Sequence, residues 1–343
     1  MNPKTTKNGW QKFWKIFGLI FLVLAVIALL IYNLNFVPAK TTWGVTFSQQ
    51  YTTVELGLDW KETYLAILDD LKVDHLRLSA YWNANEPQKG QYDFSDLDWQ
   101  VDQASQRGVK IILAVGRRLP RWPECHDPVW LNSLSAQEQK DSLILYIKTV
   151  MDRYKNNLNI ITWQIENEPY LSSFGMCPPP DREFFKSEVA LAKQLTNKPI
   201  LVTDTGELSD WHLISRAGGD ILGTTLYRVV YNPYLGYFHW FTPPFYYWIR
   251  AQVATTFNPV QKVIVAELQG ESWHLAGKNL AGMNKAESDK SMSLGQFQEN
   301  ISFASRSGFD EVYLWGVEWW YMLKTKQNDP SFWNEAKKMW PNK

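Results

Sequence analysis

Two glutamates end one of the apolar runs of this chain, in the stretch ITWQIENEPY at residues 161–170. Glu166 and Glu168 flank Asn167 there, and Glu267 ends another apolar run about a hundred residues later, in KVIVAELQG. A buried carboxylate costs free energy unless it is paired or used in chemistry. Two facing carboxyl groups can cleave a glycosidic bond, one as proton donor and the other as nucleophile or as base for water. The fold must decide whether these glutamates meet.

Eight strand-like segments alternate with helical patterns after residue 41. Several of them are continuously apolar, which is typical of parallel strands buried on both faces. Eight such units are the pattern of a (β/α)8 TIM barrel, in the α/β class. A doubly wound sheet is the alternative, but GVTFSQQY after the first strand lacks the glycine-rich turn that such a nucleotide-binding sheet requires. The predicted strands begin at Thr42, His75, Lys110, Ile160, Ile200, Ile221, Lys262 and Glu311.

A barrel of this kind carries its chemistry at the carboxyl ends of its strands. Glu168 at the end of the fourth strand and Glu267 at the end of the seventh are therefore predicted to converge over the barrel axis. Side chains alternate along a strand, so Val263, Val265 and Glu267 are predicted to share one face. We expect both glutamates to be exposed at the barrel mouth and not buried.

The sequence resembles the retaining β-glycosidases of clan A, a large (β/α)8 clan with cellulase-like, mannanase-like and β-galactosidase-like members. The resemblance rests on NEP after the fourth strand and a lone glutamate ending the seventh, and it covers the chain after about Thr42. It implies that Glu168 is the acid/base, that Glu267 is the nucleophile and that no cofactor takes part. IENE is similar to the β-galactosidase-like members, whereas NEP and an arginine on the second strand are similar to the cellulase-like ones. The individual family and the sugar therefore stay unassigned.

The same resemblance implies roles for four further residues. Asn167 matches the asparagine that binds the sugar 2-hydroxyl, and Arg77 in HLRLS matches an arginine that holds the nucleophile charged. Tyr227 in TTLYR matches a tyrosine that donates to the nucleophile, and Trp315 in YLWGVEWW matches a tryptophan beneath the sugar. The chemistry of the residue types agrees, because a cation and a hydroxyl favour an ionised nucleophile, whose charge in turn keeps the acid protonated.

Several of these residues have alternative interpretations. Glu166 exchanges roles with Glu168 in one of them, although a position deeper in the barrel suits a supporting residue better. Glu271, in the loop behind Glu267, is the substitute nucleophile in another. Trp315 also fits plain core packing, since aromatic residues are common there.

The segment GRRLPRWPECHDPVW at residues 116–130 follows the third strand and is rich in Arg, Trp and Pro. Arg117, Arg118 and Trp122 are candidates to bind sugar hydroxyls and sugar faces, with a purely structural loop as the alternative. Cys125 in this loop either pairs with Cys177, in the loop after the fourth strand, or both are free thiols. A disulfide would tie the two loops together above the acid/base.

The first forty residues form a separate unit. Basic residues precede an apolar run from Ile16 to Tyr32, and no acidic residue occurs before Glu55. The run is long enough for a membrane-spanning helix, and its basic flank predicts a cytoplasmic N-terminus. A cleavable signal peptide is the alternative, but no small-x-small site follows the run. We predict a basic cytoplasmic segment (1–15), a transmembrane anchor (16–34), a linker (35–41) and an extracytoplasmic catalytic barrel (42–343).

The composition argues against several partners. The 35 basic and 35 acidic residues cancel, which does not favour a nucleic-acid partner. The five histidines, the last of them His274, show no HExxH or His-x-His spacing, so a metal-dependent hydrolase is disfavoured. A carbohydrate substrate and a monomeric barrel are expected, and the 51 aromatic residues suit either a large core or a sugar-lined cleft.

Two questions stay open at this level. The barrel is a hydrolase, a transglycosylase of the same fold, or a non-catalytic carbohydrate-binding barrel; the presence of both carboxylates with their supporting residues disfavours the last. The aromatic segment YLGYFHWFTPPFYYWIRAQV, residues 234–253, is the sixth helix with Trp240 or Tyr247 in the core, a lid, or a surface touching the bilayer.

Overall fold

The computed structural model describes residues 3–273 and 280–341 of the 343-residue chain. Eight parallel strands close into a barrel in the order β1-β2-β3-β4-β5-β6-β9-β10, while β7 and β8 form a separate antiparallel hairpin. The predicted (β/α)8 barrel is therefore confirmed. The strands are β1 Thr42–Thr46, β2 His75–Ala80, β3 Lys110–Val115, β4 Ile160–Ile165, β5 Ile200–Asp204, β6 Ile221–Leu226, β7 Val229–Asn232, β8 Gly236–His239, β9 Lys262–Gln269 and β10 Glu311–Trp315.

Helices cover the outside of the barrel between the strands. The α-helices are α1 Pro3–Tyr32, α2 Trp60–Ala66, α3 Trp82–Asn85, α4 Ser95–Gln106, α5 Ala136–Tyr154, α6 Arg182–Leu195, α7 His212–Ser215, α8 Pro244–Phe257, α9 Lys285–Ser288, α10 Leu294–Arg306, α11 Val317–Lys326 and α12 Ser331–Lys337. Short π-helical turns lie at Tyr51–Glu55 and Ile67–Leu71, and 3-10 turns at Val129–Ser133 and Leu280–Gly282.

The strands bury both of their faces. Outward-facing side chains join one large core with the helices, and inward-facing ones fill the barrel axis with the small cluster Ile112, Leu201, Ile264 and Tyr313. This arrangement explains why the strands are apolar without a clean polar alternation.

The seventh barrel strand, β9, contains an irregularity that decides where Glu267 points. Against β6, Thr224 pairs with Val265 but Thr225 pairs with Glu267, so the register shifts by one residue at Ala266. Val263 and Val265 pack in the outer core, whereas Glu267 reaches Arg77 inside the barrel. The prediction that the three residues share one face is wrong, because a bulge adds a residue and reverses the alternation beyond it.

Two predicted strands are shorter than their sequence patterns. The sixth barrel strand ends at Leu226 and its continuation enters the β7–β8 hairpin, and the eighth ends at Trp315, with α11 starting at Val317. The aromatic segment 234–253 supplies the hairpin turn, β8 and most of α8. Tyr247 is fully buried against Phe303, so the prediction of a sixth helix packed on the barrel is confirmed.

The N-terminal helix α1 contains one stretch, Lys12–Tyr32, that is long and apolar enough to cross a membrane. Its described side chains from Lys12 to Leu30 lie on the outside of the molecule. The segment after it returns to the barrel, where the Phe36 amide donates to the Arg306 carbonyl (2.8 Å) and the Phe36 ring stacks on Trp248 (4.1 Å between centroids).

Candidate active site

Glu168 and Glu267 lie at the same end of the barrel, where β4 and β9 finish. They are close enough for the negative charge of Glu267 to act on Glu168. Both are buried, with 8% and 5% of their surface exposed, so the prediction of exposed glutamates is wrong. The loops after β3 and β4 close over this end and are joined by a Cys125–Cys177 disulfide, which decides between the two alternatives that the sequence left open for these cysteines.

Glu267 is held by two donors, one on each carboxylate oxygen. Arg77 Nη1 donates to Oε1 at 2.9 Å, and the Tyr227 hydroxyl donates to Oε2 at 3.0 Å. Arg77 is fully buried and also donates to Gln164 Oε1 (2.7 Å) and Asn167 Oδ1 (2.7 Å). Hydrogen bonds from a cation and a hydroxyl stabilise the ionised form of a carboxylate. Both carboxylate oxygens of Glu267 are therefore held by donors.

Tyr227 owes its position to a carboxylate on the next loop. Glu207, three residues after β5 ends at Asp204, accepts a hydrogen bond from the Tyr227 amide (3.0 Å). Its Oε1 also accepts from the buried Tyr247 hydroxyl of α8 (2.9 Å). Burial raises the pKa of Glu207 to about 7. A core helix is thereby connected through Glu207 to the backbone of the residue that donates to Glu267.

Glu168 has a different environment. Its amide donates to Thr203 Oγ1 (2.9 Å), but no donor contacts its carboxyl group among the residues that the structure describes. Burial, followed by the charges of Glu267, Glu124 and Asp204, raises the pKa of Glu168 well above its usual range. Desolvation and like charges both disfavour the ionised form. The protonated form of Glu168 is therefore favoured, close to Glu267.

Asn167 connects the two glutamates. Its Oδ1 accepts from Arg77 Nη2, from Gln164 Nε2 (3.2 Å) and from the Thr203 hydroxyl (3.2 Å). Three donors on one oxygen fix which way the amide faces. The NH2 group is consequently directed to the other side, where it bonds Glu124.

Glu166 does not face Glu267. Its carboxylate accepts the backbone amides of Arg117 (2.6 Å) and Arg118, and so anchors the start of the loop after β3. A Cβ at Gly116 would come within 2.4 Å of Glu166 Oε1, which explains the glycine at this close approach. The geometry favours the supporting interpretation of Glu166 over an exchange of roles with Glu168.

Glu271 is engaged in a separate buried cluster. It pairs with Arg121, whose Nη2 also donates to Glu318 (2.8 Å), and it accepts from Trp315 Nε1 (2.8 Å). The Arg121 guanidinium lies between the rings of Tyr51 (3.7 Å to the centroid) and Trp315 (4.0 Å). One face of Trp315 is thus covered by a cation, and Glu271 serves to hold that cation.

The other predicted residues of the β3 loop lie further out. Arg117 makes a bidentate pair with Asp127 (2.8 and 3.0 Å from Nε) and contacts Gln139, so its side chain is directed to the loop and α5. Trp122 is 57% exposed, and its ring meets that of Phe174 at 5.8 Å on the rim. Of Arg117 and Trp122, Trp122 is therefore the residue whose side chain is exposed to a ligand at the rim.

Sequence reasoning missed two buried groups of this site, Glu124 and Arg121. Both lie in the RRLPRWPE part of the β3 loop, where left-handed backbone at each of them turns the side chain inward. The sequence signal was the charge of this segment rich in Pro and Trp, and charge alone does not predict which way a side chain points. Within residues 3–273 and 280–341 no cluster suits a metal ion, and His274 lies outside those residues.

Comparisons with known proteins agree with this fold. The model of glycosyl hydrolase family 10 matches residues 78–176, which include β3, β4 and Glu168. A β-galactosidase, BgaA from Clostridium cellulovorans, is 25% identical over 187 residues, covering 48% of this chain and 28% of its own length. A β-galactosidase from an Arthrobacter species is 26% identical over 143 residues, covering 36% and 21%. The chain therefore spans about a quarter of the length of these curated relatives.

Solved structures share the barrel at low identity. A GH5_18 protein from Streptomyces cattleya, in complex with GlcNAc, has a TM-score of 0.56 at 12% identity, covering 80% of this chain and 70% of its own. A psychrophilic family 10 endo-β-1,4-xylanase has 0.52 at 14%, covering 80% and 85%. The exo-β-1,4-mannosidase Op5Man5 from Opitutaceae bacterium strain TAV5 has 0.54 at 16%, covering 82% and 52%.

The chain groups with the (β/α)8 glycoside hydrolases of clan A. The family model covers less than a third of the chain, and the similar proteins belong to several families, so no individual family is assigned. The resemblance drawn from NEP and the strand-ending glutamate is confirmed at the level of the clan.

Proposed function

We propose that this protein is a retaining β-glycoside hydrolase, with Glu267 as the nucleophile and Glu168 as the acid/base. The observation that carries the proposal is the contrast between them: Glu267 receives Arg77 and Tyr227 on its two oxygens, whereas the raised pKa of Glu168 keeps it protonated. Double displacement needs this division of charge.

In the first step Glu267 attacks the anomeric carbon while Glu168 gives its proton to the leaving oxygen. The glycosyl ester neutralises Glu267, which removes a charge that had raised the pKa of Glu168. Glu168 is then a carboxylate that takes a proton from water, and the water oxygen displaces Glu267 from the sugar. Asn167, fixed by three donors to its Oδ1, faces the space between them and is the proposed ligand of the 2-hydroxyl.

The test is covalent trapping with a panel of 2-deoxy-2-fluoro β-glycosides that bear good leaving groups. We expect intact mass to rise by one fluorosugar and peptide mass to place it on Glu267. The Glu267→Gln variant should take no label, whereas Glu271→Gln, the matched control, should still be labelled on Glu267. A label on Glu271, or an undiminished label on Glu267→Gln protein at another site, would contradict the assignment.

The acid/base role has its own signature in the Glu168→Ala variant. Substrates with poor leaving groups should react far more slowly, by about 100- to 10,000-fold, because general acid catalysis is lost. Substrates with 2,4-dinitrophenolate should still form the glycosyl-enzyme, and added azide should release it as the β-glycosyl azide. An α-glycosyl azide would show inversion and would contradict the retaining mechanism.

We further propose that α1 anchors the barrel to a membrane, with the basic residues 1–15 in the cytoplasm and residues 42–343 outside it. The length and apolarity of Lys12–Tyr32 and the outward position of its side chains support this proposal. Membrane fractionation of the full chain beside a chain starting at Asn35 tests it.

A further inference from the structure

Two buried side chains near Glu168 carry three polar atoms without a hydrogen-bond partner in the part of the chain that the structure describes. Glu124 Oε2 and Arg118 Nε and Nη2 have no hydrogen-bond partner among the described residues, although both side chains are about 95% buried. Arg118 Nη2 and Glu124 Oε2 lie 3.8 Å apart, beyond hydrogen-bond distance. Buried polar atoms are nearly always satisfied in a native protein, so each unsatisfied one calls for a partner.

These groups belong to the space around the two glutamates. The charges of Glu124 and Arg118 both act on Glu168, and those of Glu267 and Arg77 act on Glu124. The Asn167 side chain, which also contacts Arg77, bonds Glu124. Glu124 therefore lies close to both reacting carboxyl groups.

The loop that carries them is built to keep that orientation. Arg118 bridges to Cys125 across the loop, and the amides of Leu119 and Glu124 donate to the carbonyls of Glu124 (2.7 Å) and Arg121 (2.8 Å). The amide of Arg118 is held by Glu166, and Cys125 is fixed by the disulfide to Cys177. A Cβ at Gly175 would meet Glu124 Cβ at 2.7 Å, so the loop after β4 also packs directly on Glu124.

We propose that Arg118 and Glu124 form a subsite that binds adjacent hydroxyl groups of an uncharged sugar next to the bond that is cleaved. This inference rests on the proposed function. Arg118 Nε and Nη2 are N–H donors without a partner among the described residues, and Glu124 Oε2 is a carboxyl oxygen without one. A sugar hydroxyl that accepts from Arg118 and donates to Glu124 therefore satisfies both side chains. Burial raises the pKa of Glu124 to about 8, which makes its oxygen a donor as well near neutral pH.

The charges of the pocket argue for an uncharged sugar over a uronic acid or a sulfated sugar. Arg118 is the cation nearest to the subsite, and Glu124 stands beside it. Arg77 and Arg121 are already paired with Glu267 and with Glu271 and Glu318. A ligand anion would gain only Arg118, the cation beside Glu124, and would be repelled by the negative charge of Glu267 within a buried site.

The experiment compares Glu124→Gln with the wild-type protein on matched fluoroglycosides that differ by one hydroxyl. The parent is the fluoroglycoside that labels Glu267 fastest, and its 3-, 4- and 6-deoxy analogues and its uronic acid are measured beside it. Glu124→Gln should lower the second-order labelling rate of the parent by about 10- to 100-fold, the cost of leaving a buried polar group without its hydrogen-bond partner. On the deoxy analogue that lacks the bound hydroxyl, the same variant should lose less than about threefold, because the contact is already absent.

Two further variants separate binding from a structural role. Arg118→Gln keeps the backbone hydrogen bonds of residue 118. Its loss of labelling rate should likewise depend on whether the sugar carries that hydroxyl or the adjacent one. Asp127→Asn, in the same loop and paired with Arg117 among the described residues, should change no ratio between the sugars. An equal loss on every sugar with Glu124→Gln, or faster labelling by the uronic acid than by the parent, overturns the subsite.

Titration calorimetry with iminosugars of the same configurations keeps the subsite testable if no fluoroglycoside reacts. Each iminosugar either carries or lacks the hydroxyl that the subsite binds. If Glu124→Gln weakens binding only of the iminosugars that carry it, the subsite is supported. The missing label on Glu267 would then count against the proposed function alone. Failure of every iminosugar to bind folded wild-type protein overturns the subsite as well.

Discussion

Glu168 and Glu267 are identical side chains that acquire opposite roles from their surroundings. The described donors converge on Glu267, and desolvation with three neighbouring carboxyls leaves the proton on Glu168. Neither environment is visible in NEP or AELQG alone. It arises because β2, β6 and the loop after β3 each send one side chain to the same end of the barrel.

The raised pKa of Glu168 predicts how activity depends on pH. A raised pKa means that Glu168 keeps its proton to higher pH than an ordinary glutamate does, and that the proton is lost only as pH rises through the raised pKa. With a 4-methylumbelliferyl or alkyl leaving group, the rate of glycosylation should therefore fall on the alkaline side. With 2,4-dinitrophenolate, which needs no proton, the alkaline fall should disappear.

Rapid-quench measurement of the glycosylation step for both leaving groups, on one sugar and from pH 5 to 9, decides this prediction. Asp127→Asn serves as the control and should keep both profiles. The same alkaline fall for the two leaving groups would mean that another residue titrates, and Glu168 would lose its role as the acid.

At the scale of elements, the sequence predicts what local periodicity encodes. All eight barrel strands begin at their predicted residues, because apolar runs and helix patterns are local signals. The bulge at Ala266 and the β7–β8 hairpin were not predicted, since register depends on the partner strand. For the same reason the roles of Arg117, Glu124 and Arg121 could not be separated: their directions depend on loop backbone and on contacts with Asp127, Asn167 and Glu271.

The disulfide between the loops after β3 and β4 predicts a redox dependence of the site. Cys125 is adjacent to Glu124, and Cys177 lies 52 residues further along. The Cys125→Ser/Cys177→Ser double variant should lose about 2–4 kcal/mol of unfolding free energy, the usual contribution of such a link. Labelling of Glu267 should slow as well, because Glu124 and Arg118 are no longer held over the glutamates.

Reductant supplies the internal control for this prediction. Dithiothreitol should slow labelling of the wild type to the rate of the double variant and should leave the double variant unchanged. Alkylation that marks both thiols in untreated protein, or labelling that is insensitive to reductant, would remove the link from any role in the site.

At the scale of the whole molecule, the segment after α1 meets the barrel away from the active site. Phe36 bridges to Ser307, which lies shortly before β10, and six residues later the chain enters β1. These contacts are therefore near the amino ends of the strands, whereas Glu168 and Glu267 lie at the carboxyl ends. The proposed anchor, attached there, would leave the mouth of the barrel open to the extracytoplasmic side.

This arrangement predicts separable effects of the anchor and of Phe36. The full chain should sediment with membranes and resist extraction by salt and alkaline carbonate, and the chain starting at Asn35 should be soluble with unchanged labelling of Glu267. A chain starting at Thr42, or Phe36→Ala in the Asn35 chain, should have a free energy of unfolding lower by about 1–2 kcal/mol, because the half-buried ring no longer covers Trp248. Recovery of a soluble, N-terminally shortened product from cells expressing the full chain would identify α1 as a cleaved signal and end the anchor proposal. Equal stability of the Asn35 and Thr42 chains would instead show that the Phe36–Trp248 contact does not hold the linker, while leaving the anchor untouched.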